Sequence, residues 1–176
     1  SPAPKRSNNG REVAIRCRAF GMRVIAMKRT VEEDPLVGKV FLPSGLPELL
    51  AESDFVICSL PLTEETHHLL TLKEFEVMKP SAFFVNVGRG AVVKEDDMII
   101  ALRDGKIKGA GLDVFEKEPL DPESPLWDMP NVLITAHYAG TDEAGFRKSF
   151  AIFLDNLVRL RDGKPLVNVV NKELGY

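Results

Sequence analysis

Ala82-Phe-Phe-Val-Asn-Val-Gly-Arg-Gly90 is the stretch on which the fold turns. An apolar run of this length, preceded by Pro80 and closed by a Gly-Arg-Gly turn, reads as a strand buried on both faces. Strands of that kind belong to parallel sheets covered by helices on either side. Downstream, Lys94 to Asp104 has helical spacing and is closed by Gly105. Lys108 to Val114 reads as a strand thinned by glycines, and Asn131 to Thr135 as the last strand. Asp142 to Arg161 is a long amphipathic helix, with Phe146, Phe150, Phe153, Leu154, Leu157 and Leu160 expected on its inner side.

The same alternation continues upstream. Thr71-Leu-Lys-Glu74 has the spacing of a capping box, so a helix is expected from Leu72 to Met78, stopping before Pro80. Asp54 to Leu60 is a strand, Pro47 to Glu52 a short helix, and Thr30 to Pro47 a loop-rich stretch. Arg23 to Met27 is an apolar strand, preceded by a helix from Arg11 to Phe20 with Gly21 as its stop. Residues 1–9, with two prolines and a Ser-Asn-Asn turn cluster, are expected to be irregular. Five short strands separated by helices or long crossovers give an α/β class, a Rossmann-like doubly wound parallel sheet. In such sheets ligands gather outside the carboxyl ends of the strands. Lys28, Arg29, Leu60, Pro61, Gly88, Arg89, Asp113 and His137 all fall there.

At 176 residues the chain suits one ordinary domain. Its 44% hydrophobic and 28% charged residues are those of a folded globular chain rather than a disordered one. With 23 basic against 26 acidic residues there is no basic footprint for nucleic acid, so that class of partner is not expected. No apolar run approaches the ~20 residues that cross a bilayer, so no membrane partner is expected either. Cys17 and Cys58 stand alone, without metal-ligand spacing, which fits a reducing, cytoplasmic setting and no disulfide framework. His67-His68 is adjacent rather than at metal-ligand spacing, so no metal site is expected. Cys58, in a buried strand, is expected to be inert, and Trp127 to pack locally.

Three residues are candidates to carry chemistry. Arg89, between two glycines, offers a rigid guanidinium fork that grips a carboxylate in two parallel bonds. His137, after the last strand, can give or take a proton near neutral pH if a carboxylate such as Glu118 stabilises its imidazolium. Singly, each of the three is more often a solvated surface group; the ordered set carries the reading.

Val87-Gly-Arg-Gly90, the run from Gly109 to Pro119 and His137-Tyr-Ala-Gly140 together resemble the nucleotide-binding domain of the D-isomer-specific 2-hydroxyacid dehydrogenases. The resemblance spans nearly the whole chain. It implies that Arg89 binds the substrate carboxylate and carbonyl oxygen. It further implies that Glu118 orients His137, and that His137 exchanges the hydroxyl proton while hydride moves to or from a nicotinamide. By the same resemblance Leu60, Pro61 and Thr66 form a turn beside the adenosine, and Val87, Gly88, Arg89 and His137 lie along the coenzyme. Asp113 matches a residue that holds the carboxamide, and Ala139 and Gly140 flank the nicotinamide. The substrate would be a small 2-oxoacid such as glyoxylate or hydroxypyruvate, and the family implies a homodimer.

Two positions depart from the family pattern. NAD-specific sites carry an acid at the end of the second strand, but this chain has Lys28-Arg29-Thr30, which suits a 2′-phosphate; NADP(H) is therefore favoured, with NAD(H) as the alternative. Of the Gly-x-Gly-x-x-Gly fingerprint only Gly10 is found, directly before the expected helix. Residues 1–7 cannot be a central strand because their prolines lack ladder donors. The sheet should accordingly lack its first central strand, leaving a gap between the strands at 23–27 and 82–87. Residues 10–162 would form the dinucleotide-binding domain and 163–176 a tail toward the substrate domain, which these residues do not include. Weak or no turnover is expected from the 176 residues by themselves. A non-catalytic dinucleotide-binding module, like the corepressors that resemble this family, is the alternative. Formate dehydrogenases of the family carry Gln where Glu118 stands, which argues against that branch.

Overall fold

The computed structural model describes residues 8–30, 34–140 and 143–172. Helix α1 (Asn8–Ala19) ends in the left-handed Gly21, at φ 74°, and leads into β1 (Ile25–Met27). Strand β2 (Lys39–Phe41), helix α2 (Leu46–Glu52) and β3 (Phe55–Cys58) follow. Next come α3 (Leu72–Val77), β4 (Phe83–Asn86), α4 (Glu95–Arg103), β5 (Gly109–Leu112), β6 (Val132–Ile134) and α5 (Glu143–Arg161). Helix α3 starts where the capping box places it: Thr71 and Glu74 bond each other's backbone reciprocally, satisfying two donors at the helix's first turn. Three acids, Glu95, Asp96 and Asp97, open α4 at the positive end of its dipole.

Every strand pairing is parallel. Strands β3, β4, β5 and β6 lie side by side in that order, in the register Val56↔Phe84, Phe84↔Ala110 and Ala110↔Val132. Strand β1 pairs with β2 in a separate two-stranded sheet, with Ala26 opposite Val40. The core lies between the four-stranded sheet and α2, α3 and α4, where Leu50, Phe75, Phe84, Ile107, Leu112 and Leu126 are almost fully buried. Phe75 meets Phe84 edge to face, a favoured aromatic geometry. Thus the fold is α/β and Rossmann-like, its parallel sheet interrupted once among the described residues.

Four expectations need correction. Strand β2 falls inside the stretch read as loop, because three residues among prolines and glycines give too short a period to see. The interruption does not lie beside β4, which is paired on both edges; among the described residues the strands paired on one edge only, apart from the outer β2 and β6, are β1 and β3. Helix α1 already includes Asn8, so Gly10 sits inside it rather than before it, while residues 1–7 lie outside the described residues. Finally, the apolar side of α5 is uncovered among the described residues, where Phe146 and Leu160 are 72% and 68% exposed. Among the described residues no helix is long and apolar enough to cross a membrane.

Candidate active site

The turn after β4 is built by a residue the sequence reading passed over. Asn86 is buried among apolar neighbours at 1% exposure, and its side chain is spent on the local backbone. Its Oδ1 accepts from the Gly88 N–H at 3.1 Å, and its Nδ2 donates to the Arg89 carbonyl at 3.2 Å. A polar residue in an apolar strand immediately before a glycine turn was the available signal. Glycine is required on both sides of Arg89. A Cβ on Gly88 would lie 2.7 Å from the Leu60 carbonyl oxygen, and one on Gly90 only 1.8 Å from that of Phe115. The close approach brings the end of β3, the Arg89 turn and the loop after β5 together. Arg89 is exposed, with Nη1 donating to the Gly88 carbonyl at 2.7 Å.

The loop after β5 carries Glu118, and the loop after β6 carries His137. Glu118 Oε2 lies 2.8 Å from His137 Nδ1, while Oε1 accepts from the Phe115 N–H at 3.1 Å. Burial alone would push the Glu118 carboxyl up. The bonds from His137 and Phe115, with the charges of His137 and Arg89, outweigh it and hold the carboxyl below the usual range. The side chains of His137 and Glu118 are 48% and 38% exposed, so a solute can reach the imidazole.

His137 has a left-handed backbone, φ 59°, which costs a residue with a Cβ about 1–2 kcal/mol. What holds it there is Asp113. This carboxylate, 4% exposed, accepts from Thr135 Oγ1 at 2.5 Å, from the Tyr138 N–H at 2.8 Å and from the Ala139 N–H at 2.9 Å. Burial opposes the charge, but these donors outweigh it and hold the Asp113 carboxyl low. The residues on either side of His137 are thereby fixed to the end of β5.

At the other end of the candidate site, Lys28 and Arg29 follow β1. Lys28 Nζ lies 3.5 Å from Asp34, and an Arg29 guanidinium nitrogen 3.3 Å from Glu65. Thr30 is exposed beside them. The turn after Leu60 and Pro61 is closed by Thr66, whose hydroxyl donates to the Pro61 carbonyl at 2.7 Å and accepts from the Thr63 N–H at 2.8 Å. Val87 N–H continues the ladder to Cys58, and Gly140 is exposed past the His137 loop. Gly10 in α1 faces Ser59, its Cβ position 3.6 Å from the Ser59 hydroxyl. Arg89, Glu118 and His137 therefore form one group, and Lys28, Arg29 and Thr30 another. Cys58 is buried and free, its thiol pushed up by burial, and Trp127 donates to the Asp121 carbonyl at 2.9 Å. No group of three metal-ligating side chains occurs among the described residues.

A parallel α/β sheet with its polar residues gathered at the strands' carboxyl ends defines a Rossmann-like unit with a candidate ligand site at that edge. The chain belongs to the D-isomer-specific 2-hydroxyacid dehydrogenases: residues 7–139 match the model of that family's NAD-binding domain. It is 48% identical over 129 residues to glyoxylate/hydroxypyruvate reductase B of Pectobacterium carotovorum, covering 73% of this chain and 40% of that one. It is 40% identical over 168 residues to glyoxylate reductase of Thermococcus onnurineus, covering 94% of this chain and 49% of that one. Among solved structures, the NADPH-dependent glyoxylate/hydroxypyruvate reductase from Sinorhizobium meliloti, in complex with NADP and sulfate, superposes with a TM-score of 0.88 at 35% identity. That match covers 97% of this chain and 55% of the other. The chain thus spans less than half the length of these curated relatives.

Proposed function

We propose that this chain supplies the coenzyme-binding and proton-transfer part of a reductase that converts short 2-oxoacids, of the glyoxylate or hydroxypyruvate kind, to D-2-hydroxyacids. The observation that carries the reading is the 2.8 Å Glu118–His137 pair beside Arg89 at the carboxyl ends of the strands. Arg89 grips the substrate carboxylate and steers its carbonyl oxygen toward His137. Imidazolium His137 donates its Nε2 proton to that oxygen as negative charge develops there. Glu118, accepting from Nδ1, fixes the ring's orientation and leaves Nε2 to face the substrate. When bound, the nicotinamide supplies the hydride that adds to the carbonyl carbon. Hydride plus proton balance the reduction of one carbonyl to one hydroxyl.

Lys28 and Arg29 fit the coenzyme's 2′-phosphate, which favours NADP(H) over NAD(H). The NADP found in the Sinorhizobium meliloti structure supports this preference. Asp113 acts here through the His137 loop, its carboxylate already engaged by three donors. In the same reading residues 10–162 are the dinucleotide-binding unit, 163–176 a tail toward a substrate domain, and the protein a cytoplasmic homodimer. The 176 residues by themselves turn over weakly or not at all. The test uses the polypeptide as its native source makes it, with its intact mass recorded. It should oxidise NADPH on addition of glyoxylate or hydroxypyruvate. Arg89→Lys should lower kcat/KM by about 10- to 100-fold, the worth of a forked charge-assisted pair. No reduction of any short 2-oxoacid with either coenzyme overturns the reading.

A further inference from the structure

A second histidine–glutamate pair lies behind the first. His68 Nε2 is 2.7 Å from Glu116 Oε1. The other Glu116 oxygen accepts from the Glu95 N–H at 3.0 Å, and Glu95 returns the contact by accepting from the Glu116 N–H at 3.0 Å. His68 is itself tied to the segment before α4, its N–H donating to the Ala91 carbonyl at 2.9 Å. Three chain segments, around His68, from Gly90 to Glu95 and from Phe115 to Glu118, are thereby joined into one block. Arg89 enters that block through Gly90, and Glu118 leaves it two residues after Glu116.

We propose that Glu116, clamped by His68 and Glu95, is a positioning residue that sets where Glu118 stands relative to Arg89 and His137. The inference rests on the role given to those three residues above. Glu118 must reach His137 from a different loop, and the Phe115 N–H binds the same Glu118 carboxylate that His137 uses. Any shift of residues 115 and 116 is therefore transmitted directly to that contact. The Gly90–Phe115 approach fixes one side of this short loop, and the Glu116 bonds to His68 and Glu95 fix the other.

The network is ill suited to a merely stabilising role. Side chains of His68 and Glu116 are 31% and 36% exposed, and exposed pairs add little to folding. The clamp also brings two carboxylates together. Burial first, and the charges of Glu116 and Asp96 after it, push the Glu95 carboxyl up. Like charges in contact cost energy, so the clamp's use is geometric.

The experiment compares Glu116→Gln, His68→Ala and His68→Gln in the whole protein. The chain has only three histidines, so the His137 Nδ1–H resonance can be assigned by its loss in a His137 variant. That proton should be protected in the parent and exchange-broadened in Glu116→Gln and His68→Ala. His68→Gln, which keeps an N–H donor toward Glu116, should restore it. For glyoxylate reduction kcat should fall about 10-fold or more, as misplacement of a catalytic group does, with KM for NADPH within about twofold. An unchanged His137 resonance and an unchanged kcat in folded Glu116→Gln overturn the proposal. So does a loss of signal that only follows the loss of folded protein. If the unsubstituted protein reduces no 2-oxoacid, the functional reading above fails, while the resonance still decides whether Glu116 positions Glu118.

Discussion

Replacing Asp113 by Asn changes neither size nor shape, so it isolates what the buried carboxylate does. One carboxylate oxygen serves Thr135 and Tyr138, and the other serves Ala139. The Asn carbonyl can keep the first two, but its amide then faces the Ala139 N–H, donor against donor. One charge-assisted bond is lost, worth about 1.5–3 kcal/mol, and the other two weaken to neutral strength. Against this, the variant no longer keeps a charge out of water, and the exposed Ala139 backbone can find solvent. The net loss is about 2 kcal/mol, or about 4–8 °C in Tm for a chain of this size. Urea unfolding followed by circular dichroism reads it directly. The pH dependence supplies a second check. The Asp113 carboxyl is held below its unfolded value, so its contribution is complete above the ordinary carboxylate range and is lost as pH falls through the folded value. The gap between parent and variant must therefore close in acid. A gap under about 0.5 kcal/mol at neutral pH, or one that persists undiminished in acid, refutes this account of how the His137 loop is held.

Three further outcomes follow from the geometry. Gly90→Ala places a methyl 1.8 Å from the Phe115 carbonyl oxygen and 2.5 Å from the Glu116 nitrogen, both backbone, so it should cost about 3 kcal/mol or more. Gly111→Ala, with its nearest neighbour a Val85 methyl at 3.8 Å, should be tolerated, and their urea midpoints show the contrast. If the proposed roles hold, Glu118→Gln should lower kcat for glyoxylate about 100-fold or more while leaving the affinity for a non-reacting 2-oxoacid analogue, which the proposal assigns to Arg89, nearly unchanged. Lys28→Gln combined with Arg29→Gln should weaken binding of 2′,5′-ADP about 10-fold or more, read by calorimetry, and leave 5′-AMP unaffected, since only the former carries the 2′-phosphate that the proposal assigns to those cations.

The elements that could be read from sequence were those with a complete local signal. Thr71 and Glu74 announce α3 by themselves, and the apolar strands at Phe55, Phe83 and Val132 stand out because each is bounded by turn residues. The grouping of Arg89, Glu118 and His137 was visible only through the family's ordered motifs; no spacing rule joins residues from three different loops. Glu116 and His68 were missed because their importance lies in a partner 48 positions away in the chain. Asn86 bonds only its own turn and was passed over as one polar residue in an apolar strand. The apolar side of α5 was read correctly as apolar, while the inward placement expected for it finds no cover among the described residues. Periodicity reports which residues share a helix face and is silent on what lies opposite it.

Among the described residues the break in the sheet separates strands by local stability as well as by hydrogen bonding. Strands β4 and β5 are bonded on both edges among the described residues, whereas β1 pairs with β2 alone. Amide exchange from β4 and β5 should accordingly require global unfolding, while the β1–β2 ribbon opens in smaller excursions of its own. Arg89 and Asp113 hang from the slow-exchanging strands, and Lys28 and Arg29 from the ribbon. A ligand gripping both ends at once would suppress those excursions, so part of its affinity would be spent on ordering the ribbon, and its arrival would register as new amide protection at β1 far from the reacting carbon.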